Sequence, residues 1–205
     1  MLSIKTSVDW IKKTNKKAIM KYTFDLLIGI LLLLFLTLIM LIITIAVRST
    51  SRGRVFYWSD RIGRDNKIFK MPKFRSMLVD TPPIATHLLD NPNDYLSPIG
   101  GFLRRSSLDE LPQIFSVLKG DMSFVGPRPA LFNQEDLIAL RTEKGVDKLL
   151  PGVTGWAQVN GRDELSIASK VALDVEYLHR QSFWFDIKIL WMTFLKVVKR
   201  DGVSH

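Results

Sequence analysis

The sequence predicts a compact α/β domain of mixed α+β character, carried on an N-terminal membrane-embedded, re-entrant helix and completed by amphipathic interfacial helices. Three observations predict it. Leu26 to Val47 contains no charged residue, and a helix of that length covers about 33 Å, enough to cross a hydrocarbon core. From residue 48 onward, short strand-like and helical patterns alternate with no internal repeat or low-complexity tract. Ser182 to Arg200 is amphipathic and rich in Trp, Phe and Lys, a composition suited to a membrane interface. The chain divides accordingly into a basic segment, 1–23, a membrane helix, 24–47, and a cytoplasmic domain, 48–205.

The apolar run is hydrophobic on all sides, unlike the striped helix of a soluble core. It is too long for the h-region of a signal peptide, and the basic stretch after it has no small-x-small cleavage pattern. Leu26 and Val47 mark its ends. Lys5, Lys12, Lys13, Lys16, Lys17 and Lys21 precede it, and Arg48, Arg52, Arg54, Arg61 and Arg64 follow. The positive-inside rule keeps both flanks in the cytoplasm. A single crossing cannot satisfy that, whereas a helix that enters one leaflet, breaks and returns can; each basic residue near an anionic leaflet contributes about 1 kcal/mol. No proline interrupts the run. That favours a straight span over the re-entry the charges favour; for re-entry, Thr37-Leu38 is the candidate break, because the Thr37 hydroxyl can bond a carbonyl one turn back and bend the helix.

Beyond the run, Val55–Trp58 and Lys67–Lys70 read as short strands around the turn-rich Gly63–Asn66. Thr81 to Pro98 carries four prolines and reads as an irregular loop. Pro112 to Lys119 reads as a short helix, with proline in its first turn and Gly120 just past its end. Glu135–Lys148 and Ile167–Arg180 have helical periodicity. The C-terminal amphipathic helix can lie in the interface or pack on the core, since Trp and Phe serve both.

The net charge of +9 is concentrated at the N-terminal end, where residues 1–75 hold 15 Lys and Arg against 4 Asp and Glu. A basic pole points to nucleic acid, an anionic membrane or a phosphorylated ligand. The absence of cysteine excludes disulfides and thiolate metal sites and suits a reducing compartment. His87, His179 and His205 are scattered, which argues against zinc. There is no P-loop and no dinucleotide-binding glycine pattern.

Four constellations could carry chemistry. In Arg104-Arg-Ser-Ser-Leu-Asp-Glu-Leu-Pro-Gln113, Asp109 and Glu110 form a carboxylate pair beside arginines, one able to act as nucleophile and the other as metal ligand. The structural alternative is a capping box, Ser107-x-x-Glu110, although Pro112 pushes the helix start beyond the pair. There, free N–H groups and the helix dipole would keep both carboxylates ionised and favour phosphate. In Gly120–Pro129, Arg128 stands between two prolines on a stiff backbone that can aim a phosphate-binding guanidinium; a solvated arginine on a turn is the alternative. In Pro151–Arg162, three glycines permit close backbone approach to a ligand, and Arg162 ends the segment. Lys73 and Arg75 form a basic pair at a strand end, or an exposed strand face. Basic motifs, glycine turns and a carboxylate pair fit phosphate chemistry assisted by Mg²⁺.

Together, KFRSM, RRSSLDELPQIFSVLKGDMSFVGPRP and PGVTGWAQVNGR resemble, in order, the bacterial sugar transferase family, the monotopic phosphoglycosyl transferases, from about Lys21 to the C-terminus. The closing RDGVSH resembles members that handle N-acetylated amino sugars. The resemblance implies a double displacement, as the first membrane step of glycan assembly on the cytoplasmic face of the bacterial inner membrane. An aspartate at Asp109 attacks the β-phosphate of a UDP-sugar, UMP leaves, and polyprenyl phosphate takes the phosphosugar from the enzyme. Glu110 would bind Mg²⁺. Lys73, with Arg75 beside it, Arg105, Arg128 and Arg162 would line the phosphate and nucleotide site. The implied partners are a UDP-sugar, polyprenyl phosphate and the membrane, with no nucleic acid; a homodimer is compatible with them. The family breaks its membrane helix with Ser-Pro, where this chain has Thr37-Leu38. A membrane-tethered nucleic-acid-binding protein would explain the basic end but not Asp109-Glu110.

Overall fold

The computed structural model describes residues 2–82, 90–161 and 165–199. It is a mixed α+β structure whose sheets are small. Helix α1 (Leu2–Thr50) leads into an antiparallel hairpin, β1 (Phe56–Ile62) and β2 (Ile68–Phe74). Then come α2 (Gly100–Arg105), α3 (Gln113–Lys119) and β3 (Ser123–Val125), followed by α4 (Glu135–Glu143), β4 (Gly152–Thr154), α5 (Trp156–Val159), α6 (Ile167–Arg180) and α7 (Phe183–Lys199). Strands β3 and β4 form a second, parallel pair, with Ser123 beside Gly152 and Val125 beside Thr154.

Among the described residues, one helix is long and apolar enough to cross a membrane, Ile19–Thr50 within α1. The break expected at Thr37-Leu38 is not there. The Thr37 hydroxyl does donate to the Leu33 carbonyl, at 2.5 Å, but the helix continues through Leu38. Every residue of the run retains its N–H, so the backbone ladder can close across the threonine.

The run is apolar on every side, as expected, but its sides are not equivalent in the fold. One stripe of α1 is packed on the domain and the remainder is exposed. Lys21 pairs with Asp186 of α7 at 2.5 Å. Asp25 accepts from the Phe124 amide of β3 at 3.4 Å, and Gly29 lies against Leu118. Met40, Ile43 and Val47 join Phe74 and Leu103 in a core cluster. Val47, read as the last membrane residue, is 0 % exposed, and Lys21, read as a flank charge for the leaflet, is committed to Asp186. Leu26 is half-buried, whereas Thr37 and Leu38 are exposed. Leu27, Leu31, Leu34, Phe35, Leu38 and Ile42 cover the open face.

The hairpin is longer than the sequence suggests, because Asp65 and Asn66 both turn with positive φ (56° and 58°) and let Ile62 pair Ile68 at once. Helix α3 ends where expected: Gly120 takes φ 86°, and its amide reaches back to α3 carbonyls. Helix α4 stops at Glu143 instead of Lys148, since Gly145 turns left-handed (φ 74°) and starts a new turn. Helix α6 starts from Ser166, whose hydroxyl accepts from Ser169 N at 3.2 Å. Helix α7 packs on the core by one side and leaves the other open. Phe185 and Ile189 enter a core with Val125, Val159 and Tyr177, while Trp184, Trp191, Phe194 and Val197 remain exposed. The middle of the proline-rich loop, 83–89, lies outside the described residues, as does Arg200–His205, the segment bearing RDGVSH.

Candidate active site

The carboxylate pair sits on a sharp turn. Helix α2 ends at Arg105, Ser107 adopts a left-handed conformation (φ 55°), and Leu108–Glu110 form a single 3₁₀ turn before α3. Leu108 and Leu111 pack against the Met40–Ile43–Val47 cluster of α1, which anchors the turn from below. The Ser107 side chain makes no capping bond. The capping box is therefore not formed, and Glu110 turns to cations instead: its Oε1 lies 2.6 Å from Lys73 Nζ and 3.5 Å from Arg128 Nη2.

Asp109 is buried, 8 % exposed. Burial pushes its carboxyl up to about 6, opposed by Lys73, reinforced by Glu110 and opposed again by Arg104. The expectation that the helix terminus would simply keep it ionised thus omitted desolvation, which is the larger effect here. A carboxylate of this kind is more basic than a solvated one and still mostly ionised at neutral pH, a combination suited to a nucleophile.

Three elements, β1, α4 and β4, hold Arg128 in place through four bonds. Successive carbonyls of its loop are each occupied: Pro127 by Gly152 N (2.9 Å), Arg128 by Arg141 Nη1 (2.8 Å), Pro129 by Arg61 Nη1 (3.2 Å) and Ala130 by Ile62 N (2.9 Å). Two of the three glycines read as a ligand's approach route serve this loop: a Cβ on Gly152 or Gly155 would collide with the Gly126 backbone, and one on Gly126 itself with the Leu150 carbonyl, whereas the third, Gly161, faces Leu165. Close approach is real, but it joins two chain segments.

The structure brings Asp109, Glu110, Lys73 and Arg128 together. Arg105 is exposed on α2, and its neighbour Arg104 is the arginine whose charge acts on Asp109. Arg75 is buried under the end of α1, where its Nη2 donates to the Ser51 hydroxyl (2.7 Å) and carbonyl (3.1 Å). Arg162 lies outside the described residues. The sequence reading missed Arg61 as a site residue and counted it only as a flank charge. Burial and the adjacent Arg128 lower its guanidinium to about 10. Its signal was the strand period, since Arg61, Ser59 and Tyr57 share the face of β1 that pairs with Phe69, Met71 and Lys73.

Among the described residues no group of three or more His, Asp or Glu converges as a metal site. The donor set still fits Mg²⁺, which is commonly held by one or two carboxylates together with substrate phosphates and water. Adjacent carboxylates at Asp109 and Glu110 meet that pattern, with Glu110 the less buried of the two.

A buried carboxylate beside a lysine and arginines lies on a domain that carries a helix long and apolar enough to cross a membrane, a set of groups able to bind phosphate. The family model described as bacterial sugar transferase matches residues 16–200, and the chain belongs to that family. It is 41 % identical over 189 residues to an uncharacterised sugar transferase of Bacillus subtilis, covering 91 % of each chain. It is 39 % identical over 186 residues to the UDP-glucose:undecaprenyl-phosphate glucose-1-phosphate transferase of Escherichia coli, covering 87 % of this chain and 40 % of that protein. Against the undecaprenyl-phosphate glucose phosphotransferase of Komagataeibacter xylinus the identity is 39 % over 196 residues, covering 90 % of this chain and 36 % of the relative. The chain thus spans about two fifths of the length of the relatives named for an activity.

Proposed function

We propose that this protein transfers a sugar-1-phosphate from a UDP-sugar to undecaprenyl phosphate or a similar polyprenyl phosphate, through a phosphosugar intermediate on Asp109. The observation that carries the reading is the buried Asp109 at the head of α3, next to the Lys73–Glu110–Arg128 cluster. In the first step the Asp109 carboxylate oxygen bonds to the β-phosphorus, and the bond from that phosphorus to the bridging oxygen breaks. UMP departs with that oxygen. In the second step an oxygen of the lipid phosphate bonds to the same phosphorus and the Asp109–phosphorus bond breaks, giving a lipid diphosphate sugar and free Asp109. Lys73, Arg128 and Arg61 neutralise the charge that builds on the phosphoryl oxygens. Mg²⁺, held by Glu110 and the substrate phosphates, would supply further charge neutralisation at the diphosphate.

The sugar is an N-acetylated amino sugar in this reading, on the strength of the closing RDGVSH. The domain works at the cytoplasmic face of the inner membrane, with α1 immersed from one side and the Trp184–Trp191–Phe194 face of α7 against the interface. Packing of α1 supports this. Its stripe from Lys21 to Val47 follows the domain for about 39 Å.

The deciding experiment is mass spectrometry of the protein incubated with UDP-sugar alone, over a panel of UDP-glucose, UDP-galactose and UDP-N-acetylhexosamines. A sugar-phosphate adduct on the Asp109 peptide, with release of UMP, is the expected result; near wild-type turnover by Asp109→Asn would sink the double displacement.

A further inference from the structure

Arg141 and Asp174 lie outside the Lys73–Glu110–Asp109 group, on α4 and α6, yet they are built into Arg128. Asp174 is 1 % exposed, and its Oδ2 accepts from Arg141 Nε at 2.9 Å and Nη2 at 2.7 Å. A carboxylate buried this deeply costs more in desolvation than an ion pair usually returns, so its retention asks for a role. The remaining edge of Arg141 is directed at one backbone oxygen, with Nη1 2.8 Å from the Arg128 carbonyl. That residue stands between Pro127 and Pro129, whose rings fix φ on both sides. A bond to the Arg128 carbonyl therefore constrains the orientation of the peptide from which the guanidinium projects. At its other end that guanidinium lies 3.5 Å from Glu110 Oε1. Leu137 of α4, Val171 of α6 and Ala130 pack into one core cluster, so both helices and the end of the loop form a single rigid support.

We infer that Arg141 and Asp174 are positioning residues that aim Arg128 at the phosphate-binding site, and that this aim requires the planar fork of an arginine. The inference rests on the proposed function only in taking Arg128 as a phosphate ligand. A lysine at 141 keeps the charge but presents a single nitrogen, which cannot hold Asp174 and reach the Arg128 carbonyl together.

The test is a double-mutant cycle. Arg141→Lys and Asp174→Asn are each made in the wild-type protein and over Arg128→Ala, and two quantities are read from the full chain: the rate of UMP release and the affinity for UDP. In the wild-type background each change is expected to lower UMP release by about 10- to 100-fold, and over Arg128→Ala by less than about threefold, because the residue being aimed has gone. Equal losses in both backgrounds would show that the pair acts elsewhere and would overturn the inference, as would an Arg128→Ala variant with unaltered rate and UDP affinity. Should one variant lose its cooperative melting, the other decides, since one conserves charge and the other shape. A wild type that binds UDP but releases no UMP would sink the transfer reaction alone, with the cycle then decided on affinity. A wild type that does neither overturns both.

Discussion

Asp109 loses its water when the chain folds, and Lys73, Glu110 and Arg104 compensate only in part. Because its folded pKa lies above the unfolded value, the stability linked to its protonation is complete below about pH 4 and lost as pH rises through about 6. At neutral pH the ionised form therefore weakens the fold that holds it. Asp109→Asn should raise the melting temperature at pH 7, by the equivalent of about 1–3 kcal/mol, with the gain vanishing near pH 4; an unchanged or lower melting temperature at pH 7 would contradict the burial argument. The same titration sets the chemistry. Adduct formation should fall as pH drops through about 6, losing about tenfold for each further unit. A stopped-time pH series with the wild type measures it, and a rate flat down to pH 5 would place the nucleophile elsewhere.

At the scale of elements, the second sheet is where residue size matters most. Gly126, Gly152 and Gly155 bring β3 and β4 together backbone to backbone. Gly155 adopts extended dihedrals that any residue can take, so the obstacle to alanine there is space rather than φ. Gly155→Ala should destabilise the chain by about 1–3 kcal/mol and displace the Arg128 loop; a variant with unaltered melting and activity would count against that interlock. Elements with a chemical stop signal were legible in the sequence: α3 between Pro112 and Gly120, α6 from its first to its last residue, and the turn between β1 and β2. Strands β3 and β4, three residues each, and α5, four residues, are too short to show a period. The SLDELP turn could be read as a site, but the placement of Arg104 instead of Arg105 beside Asp109 depends on where α2 stops. The stripe of α1 was hidden for another reason. In a run where nearly every residue is apolar, nothing in composition separates Met40, Ile43 and Val47 from the leucines beside them. The partner of Lys21 lies 165 residues away.

For the whole molecule, the two flanks of α1 and the domain packed along it should occupy one side of the membrane. Cysteines introduced at Ser3 or Ser7 should resist a membrane-impermeant thiol reagent in intact cells and react after permeabilisation. Efficient labelling from outside would establish a full crossing.

The cluster of Met40, Ile43 and Val47 beneath Leu108 and Leu111 bears on how this protein can be handled. Removing a membrane segment is the usual route to a water-soluble enzyme, and it presumes that the segment is a tether. Here deletion of residues 1–50 would take three buried side chains from under the Asp109 turn, each contributing about 1.5–3 kcal/mol through burial, together with the Lys21 partner of Asp186. The shortened chain should lack a cooperative melting transition in any buffer. Replacing only the outward leucines, Leu27, Leu31, Leu34 and Leu38, with polar residues should leave the fold intact. Solubility in this protein is a matter of repainting one side of a helix that the catalytic domain cannot spare.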